Sequence, residues 1–432
     1  MPTICYHKHT ELMKITPKIL KGFRDFLPTE ARKRQYVVNQ LKSVFESFGF
    51  EPLETPTLEY EEILSGKYGE EGDQLMYRFE DNGKRRVAMR YDQTVPLARV
   101  VAQYQNELPT PFKRYQIQNV WRAENTQKGR YREFLQCDAD IVGSSSPLAD
   151  AEIIATAAKS LGALGFINFT ILMNDRRVFS ELIEKELITK EEMTFAVVAV
   201  DKLKKIGEEG VIEELVRKGI TKERAKEVLK LIQDQEKTDT LEDISRYFQT
   251  LPFLKNKSKF EPTLARGLNY YTGTIFEIEV EGYTVGSIGG GGRYDNLIGM
   301  FTDKQIPAVG FAFGFDRVME AMDALNLFPA ELANSSTKVL VTIFSEDLKQ
   351  KSLEITTMLR EQNINTELYL GALKEKNPLE KQLKYADQKK IPFVIILGPE
   401  EAEKDKVTLK NLKTREQRQI TIRDCISYLD NK

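Results

Sequence analysis

Four arginines in this sequence suggest chemistry before any fold is considered. Arg122, Arg130, Arg266 and Arg317 fall in separate segments, each strand-like or beside a strand-like run. A guanidinium is planar, stays charged and grips phosphate oxygens through paired N–H groups, so several converging on one place suit a polyphosphate. Near them stand Asp92, Glu124, Gln136 and Asp140, and the paired phenols Tyr270 and Tyr271. Carboxylates and phenols suit a small ligand carrying an amine and a polar ring. Residue types alone lead to an ATP-using enzyme or a nucleotide-binding module.

The densest of these stretches is LARGLNYYTGTIF, Leu264 to Phe276. Arg266 precedes a Gly and the two tyrosines, and a second Gly lets the backbone turn into the apolar run Ile275–Ile278. Downstream, GSIGGGGRYDNL holds four consecutive glycines, Gly289 to Gly292, which let backbone approach a ligand closely or bend tightly. No GK[ST] follows them, so they are not a phosphate-binding P-loop. VGFAFGFDR then reads as a strand delivering Arg317 to a helix.

Other elements must hold these groups. Thr29–Phe48 has apolar residues at three- and four-residue spacing and reads as a helix. Phe50–Leu58 is strand-like, and its two prolines confine it to an edge or an interface. RRVAMRYDQT alternates; as a strand it puts Arg90, Asp92 and Thr94 on one face, where they would make a polar pocket wall. Phe112–Arg122 and Arg132–Val142 read as an antiparallel hairpin whose loop, Ala123–Tyr131, carries a basic excess. Along its second strand Phe134, Gln136, Asp138 and Asp140 share a face.

Pro147–Gly162 reads as a helix and Phe169–Met173 as a strand, whereas Asp175–Leu251 turns charged and helix-favouring, with Thr caps before periodic apolar positions. We expect a helical insertion there, about residues 175–258. Beyond a linker between Leu327 and Thr337, strands and helices alternate to the end, which predicts an α/β domain with a largely parallel sheet over 336–432.

The whole chain sets further bounds. Its 432 residues allow roughly two to four domains. A net charge of −2 means that any nucleic-acid contact must come from a local patch, and Lys113, Arg114, Arg122, Lys128, Arg130 and Arg132 form one in the sequence. No apolar run is long enough to span a membrane and the start lacks a secretory signal, so a cytoplasmic protein is expected. The three cysteines, widely spaced and odd in number, argue against a disulfide scaffold or structural zinc. Cys5, His7 and His9 could be read as a metal triplet, but they sit in a polar leader, residues 1–17, expected to be disordered; Met13 offers a second start.

At these residues the chain resembles the histidyl-tRNA synthetases, class II aminoacyl-tRNA synthetases, over nearly its full length from about Lys18. VWRAENTQKGRYREFLQCDADIVG is similar to class II motif 2, VGFAFGFDRV to motif 3, and the edge strand with Pro56 to motif 1. ARGLNYYTGTIFE and GGGGRYDNL resemble the two segments peculiar to the histidine enzyme. The class I HIGH signature needs two histidines, and the only two here, His7 and His9, stand in HKHT.

The resemblance implies an α+β fold: a class II antiparallel sheet flanked by helices over 18–335, with the helical insertion, and a C-terminal α/β anticodon-binding domain over 336–432. It implies activation of L-histidine by ATP with Mg2+, transfer to the 3′ end of tRNA(His), and a homodimer. Arg122 would grip the α-phosphate and the histidine carboxylate, Arg266 the α-phosphate from across, Glu124 the adenine side, and Arg130 and Arg317 the outer phosphates. Asp92, Thr94 and Gln136 would hold the α-amino group, Asp140 and Tyr271 would read the imidazole, and Tyr270 and Tyr294 would line its pocket. Gln127 and Lys128 would meet the acceptor end of the tRNA, and Lys381, Lys384, Lys389 and Lys390 could meet phosphates. Asn269 departs from the family, where many relatives have Asp; a structural role is expected there.

The alternative is a non-catalytic paralogue serving as regulatory subunit of ATP phosphoribosyltransferase, which usually lacks the C-terminal domain and loses parts of the two histidine-specific segments. A tRNA-sensing module fused to a stress kinase would need a kinase signature, and a synthetase for proline, threonine or glycine would not need RGLNYY with GGGRYD.

Overall fold

The computed structural model describes residues 15–126, 129–266, 270–372 and 378–430. The chain divides into two compact units, one formed by the chain up to Asp25 with Arg34–Leu327, the other by Phe26–Lys33 with the chain from Phe328 onward.

The first unit is built on an eight-stranded sheet in the order Glu51–Pro52, Phe112–Trp121, Glu133–Val142, Ala308–Gly314, Gly289–Arg293, Thr274–Val280, Phe169–Asp175, Ser258–Phe260. The six inner strands are antiparallel, and the short outer two pair in parallel. Pro52 does sit on an edge strand, where a missing N–H costs no ladder bond. Pro147–Ala163 supplies a covering helix, opened by Pro147 in its first turn and by the Ser146 hydroxyl, which accepts from Leu148 N. Its buried residues, among them Ala151, Ile154, Ala158 and Leu161, recur at helical spacing.

The four glycines form an inner strand between Thr274–Val280 and Ala308–Gly314. Small residues are needed there for contact reasons. A Cβ on Gly291 would lie 2.0 Å from the Gly310 carbonyl oxygen, and one on Gly290 would lie 2.2 Å from Arg266 Nη1. The strand leaves the sheet bare so that side chains from elsewhere can lie on it.

RRVAMRYDQT does not run as one strand. The strand stops at Met89, and Thr94–Gln103 is a helix. Asp92 explains the break: its Oδ1 accepts the Val95 N–H at 3.1 Å, which satisfies an orphan donor of the helix start, and Pro96 fits the first turn.

Between Asp175 and Ser258 the regular elements among the described residues are helical: Arg176–Phe179, Ser180–Glu184, Lys190–Asp201, Leu203–Arg217, Lys222–Gln233, Asp239–Gln249 and Pro252–Leu254. Thr189, Thr221 and Thr238 cap three of them through their hydroxyls, Thr189 as a full capping box with Glu192. Helices this short are marginal alone. Burial of Ala225, Val228, Leu229 and Ile232 in a shared core with Phe179, Leu182, Val200 and Leu215 stabilises them, at about 1.5–3 kcal/mol per large aliphatic side chain.

The second unit carries a five-stranded sheet, Thr366–Leu368, Val339–Val341, Phe393–Ile396, Lys406–Asn411, Gln417–Thr421. The first three are parallel and the last two antiparallel, so the sheet is mixed rather than largely parallel. Asn411 closes the final hairpin: its Oδ1 accepts from Lys413 N and Thr414 N in a tight turn that reverses the chain between the last two strands.

Candidate active site

The bare glycine strand and its neighbours floor a cavity of about 680 Å³ in the first unit. Asp92, Thr94, Arg122, Glu124, Arg130, Gln136, Asp140, Arg266, Tyr270, Tyr271, Tyr294 and Arg317 all line it, although they come from segments far apart in sequence. Gln127, Lys128 and Asn269 lie outside the described residues, as do Cys5, His7 and His9. Among the described residues no cluster of three or more His, Cys, Asp or Glu could hold a metal ion.

The cationic groups are held before any ligand arrives. Arg122 follows directly on the strand Phe112–Trp121, and its guanidinium lies between two rings, 4.4 Å from the Tyr91 centroid and 5.1 Å from that of Phe134. Its Nε donates to Tyr91 O at 3.1 Å and its Nη2 to Gln136 Oε1 at 3.4 Å. Arg266 donates from Nη1 to Glu277 Oε1 at 2.9 Å and to Phe276 O at 3.3 Å. Arg317 donates to Ser287 O at 2.7 Å. Arg130 is half exposed, with Nη1 3.6 Å from Glu124 Oε2, and this loose pair is the most open of the set. Rigid donors in a partly dry wall stabilise developing negative charge with little reorganisation.

The other end of the cavity is phenolic and acidic. Tyr270 packs against Tyr271 and Tyr294, with ring centroids 4.9 and 5.9 Å apart. Burial raises the pKa of all three phenols, so at neutral pH each keeps its proton as a donor. Asp140 accepts from the Tyr294 hydroxyl on one oxygen and meets Arg114 at 2.8 Å on the other. It is seated only because Gly310 faces it: a Cβ there would lie 1.8 Å from Asp140 Oδ1. Asp92 accepts from the Tyr68 hydroxyl at 2.8 Å, and burial raises its carboxyl above the usual range despite that bond and the one from Val95. Gln136 is oriented from both ends. Its Nε2 donates to Asp138 Oδ2 at 2.8 Å, and its Oε1 accepts from Arg122, a group that can only donate.

Some expectations need correction. Arg90 does not join Asp92 and Thr94 in the cavity wall. It is buried and donates to Asn119 O, Thr55 O and Gln118 Oε1, bracing three segments. The basic patch also divides. Lys113 binds Phe48 O and Glu152, Arg114 is fully buried, and Arg132 donates to Glu124 O, which leaves Arg122 and Arg130 facing the cavity among the described members. In the second unit, Lys384 pairs with Glu380 and Lys389 with Glu367, so their charges are partly answered within the fold.

Residue types alone did not single out Arg114, Tyr68 or Glu277 for the site, whereas Asp138 does line the cavity with Gln136 and Asp140, as their shared strand face implies. A signal existed for Arg114. With Phe112–Arg122 and Arg132–Val142 read as a hairpin, matching their ends sets Arg114 opposite Asp140, the register observed.

Known proteins resemble this chain over nearly its full length. Residues 22–318 match the family described as histidyl-tRNA synthetase, and residues 338–432 match the one described as anticodon binding domain. The chain is 40% identical over 456 aligned positions to a histidine–tRNA ligase of Cytophaga hutchinsonii, covering 96% of this chain and 99% of that one. With a histidine–tRNA ligase of Rhodopirellula baltica it shares 39% identity, covering 94% and 96%. The crystal structure of histidyl-tRNA synthetase from Nostoc sp. PCC 7120 is similar at a TM-score of 0.78 and 31% identity, covering 97% of this chain and 100% of that chain.

Proposed function

This chain belongs to the histidyl-tRNA synthetase family, and we propose that the cavity lined by Arg122, Arg266 and Asp140 is where it performs both steps of its reaction. It is a histidine–tRNA ligase: ATP, L-histidine and tRNA are its substrates. The finer assignment of residues to roles is our own.

In the first step the histidine carboxylate attacks the α-phosphorus of ATP, forming histidyl-adenylate and releasing pyrophosphate. The carboxylate is already ionised, so no general base is needed. Arg122 and Arg266 hold the α-phosphate from two sides, and Arg122 also holds the attacking carboxylate. Arg130 and Arg317 take the outer phosphates, and Glu124 the adenine side. Magnesium would come with ATP and offset charge on the outer phosphates, beside Arg130 and Arg317. In the second step the terminal ribose 3′-hydroxyl of tRNA(His) takes the histidyl group and AMP leaves.

Asp92, Thr94 and Gln136 receive the α-ammonium, Gln136 through the oxygen that Asp138 turns outward. A neutral imidazole has one N–H donor and one bare nitrogen. Asp140 accepts from the first and the protonated phenol of Tyr271 donates to the second, with Tyr270 and Tyr294 packing the ring. Analogues lacking either nitrogen leave a buried group unpaired, so binding alone discriminates. Gln127 and Lys128 are assigned to the tRNA acceptor end.

We assign residues 18–335 to the catalytic core, with the helical insertion at about 175–258, and 336–432 to anticodon binding. A cytoplasmic homodimer is proposed. Supporting the dimer are the exposed Leu58, Tyr60 and Phe79 on the three-stranded sheet Leu58–Tyr60, Arg86–Met89, Arg78–Glu80. Sedimentation at micromolar concentration tests it, and a monomer would refute it.

The observation that carries the site assignment is the meeting of Arg122, Arg266, Asp140 and Tyr271 on one cavity. Histidine-dependent exchange of pyrophosphate into ATP tests it: the unmutated protein should exchange, and Arg266→Ala should lose most of that activity while keeping its fold. Histidine binding without exchange would favour the regulatory paralogue, which no feature of the cavity favours now.

A further inference from the structure

We propose that Asp201 and Arg176, both from the helical segment, are positioning residues that hold the backbone of Arg266 and so make its reach depend on the seating of that segment. The proposal rests on the reading of Arg266 as a group facing the α-phosphate.

Arg266 has φ of +49°, a left-handed conformation that residues with a side chain rarely adopt. Such a conformation persists only where surroundings over-determine it, and here they do so on both sides of the residue. Its N–H donates to Asp201 Oδ1 at 2.8 Å, from the last residue of the helix Lys190–Asp201. Its carbonyl accepts from Arg176 Nη1 at 2.8 Å, and the same nitrogen donates to Ala265 O at 2.7 Å. Arg176 opens the helical segment directly after the strand Phe169–Asp175. The Ala265 methyl is fully buried in the helical segment's own apolar core, among Phe179, Leu182 and Val200.

The backbone that aims Arg266 is therefore gripped by helices, whereas its guanidinium is gripped by the sheet, through Glu277 and Phe276. Its Nε is buried and has no hydrogen-bond partner among the described residues, in a side chain that lines the cavity. A small displacement of a catalytic group costs rate steeply. Releasing the Asp201 grip lets Arg266 relax from its left-handed conformation and withdraw from the α-phosphate, with its effect on the histidine pocket limited to its contact with the Tyr271 ring.

The test uses the full chain and measures pyrophosphate exchange, the KM for histidine and the melting temperature. Asp201→Ala should lower kcat by roughly ten-fold, the scale of one lost hydrogen bond to a charged group, with a smaller change in histidine KM and the melting temperature unchanged. Asp201→Asn should restore the rate, because an amide oxygen accepts the same N–H. In an Arg266→Ala background, Asp201→Ala should add nothing. An unchanged kcat in Asp201→Ala beside an inactive Arg266→Ala would overturn the proposal, and so would fully additive losses. Full exchange by Arg266→Ala would overturn the assignment of Arg266 itself, and the proposal with it.

Discussion

Arg114 and Asp140 face each other at one register position of an antiparallel strand pair, Arg114 Nη2 lying 2.8 Å from Asp140 Oδ2 with both side chains almost wholly out of solvent. This buried pair stands behind the cavity wall, and Asp140 reaches the cavity with its remaining capacity. Burial drives the Asp140 carboxyl above its usual range, and the guanidinium beside it pulls the other way.

Removing Arg114 should therefore expose how costly that carboxylate is. Arg114→Met is expected to lose about 3–5 kcal/mol of stability at neutral pH, because it strands a buried charge. Without the guanidinium the Asp140 carboxyl titrates higher still, so its protonated form is favoured in the folded state. The gap to the unmutated protein should then narrow as pH falls and Asp140 takes up its proton. Urea unfolding of both proteins at several pH values measures this. The double change Arg114→Met with Asp140→Leu should regain a good part of the loss, since it leaves neither charge behind.

Asp138 is a second buried carboxyl with a different balance. Burial raises it well above the ordinary range, Arg114 opposes that from a distance, and Asp140 adds to it. Its Oδ1 has no hydrogen-bond partner among the described residues. With its folded pKa raised, ionisation costs stability above that pKa, and the cost vanishes below the unfolded value of about 3.9. Asp138→Asn cannot titrate, so the unmutated protein should gain stability relative to it on going from about pH 8 to pH 5. A difference independent of pH would show that folding does not raise the Asp138 carboxyl above its unfolded range.

Tyr271 tests the imidazole reading. Its phenol is kept protonated by burial, although Arg266 lies near enough to pull the other way. Tyr271→Phe keeps the ring and removes the donor, which leaves one imidazole nitrogen unpaired. The expected result is a rise in histidine KM of roughly ten- to a hundred-fold, with the KM for ATP little changed. Equal effects on both substrates would mean that the hydroxyl acts through the neighbouring Arg266 rather than on the imidazole.

Much of this fold and site could be read in the sequence, because so much of it depends on local pattern. Alternation placed the hairpin strands, period and Thr caps placed the helices, and the motif residues converged on one cavity. What escaped was tertiary in origin. Arg90 and Arg114 looked like ligand-facing or surface charge, and their burial depends on carbonyls and a carboxylate supplied by other segments. Asp92 and Thr94 were placed on a strand by alternation, but the Asp92 carboxylate instead serves the start of a helix. Asp201 and Arg176 lie in a segment so rich in charge that residue type does not distinguish them; what distinguishes them is the Arg266 backbone they hold.

The glycines offer the sharpest geometric prediction. Gly310 gives Asp140 its seat and Gly290 gives Arg266 its path, with Cβ positions 1.8 Å from Asp140 Oδ1 and 2.2 Å from Arg266 Nη1. Neither obstruction is relieved by a small shift: the Asp140 carboxylate is held by Arg114 and Tyr294, and a Gly290 Cβ also meets Phe276 O at 2.5 Å. The two sites should fail differently. Gly310→Ala displaces the imidazole reader and should raise histidine KM more than it lowers kcat, whereas Gly290→Ala displaces the phosphate-facing arginine and should lower kcat more. Gly162, near the end of the helix Pro147–Ala163, has no heavy atom within 4 Å of its Cβ position. There Ala should instead stabilise by roughly 0.5–1 kcal/mol, because it removes backbone freedom from the unfolded chain. Steady-state kinetics and melting curves on the three variants together separate the outcomes. A Gly310→Ala protein with unaltered histidine KM would show that Asp140 is not where histidine is read.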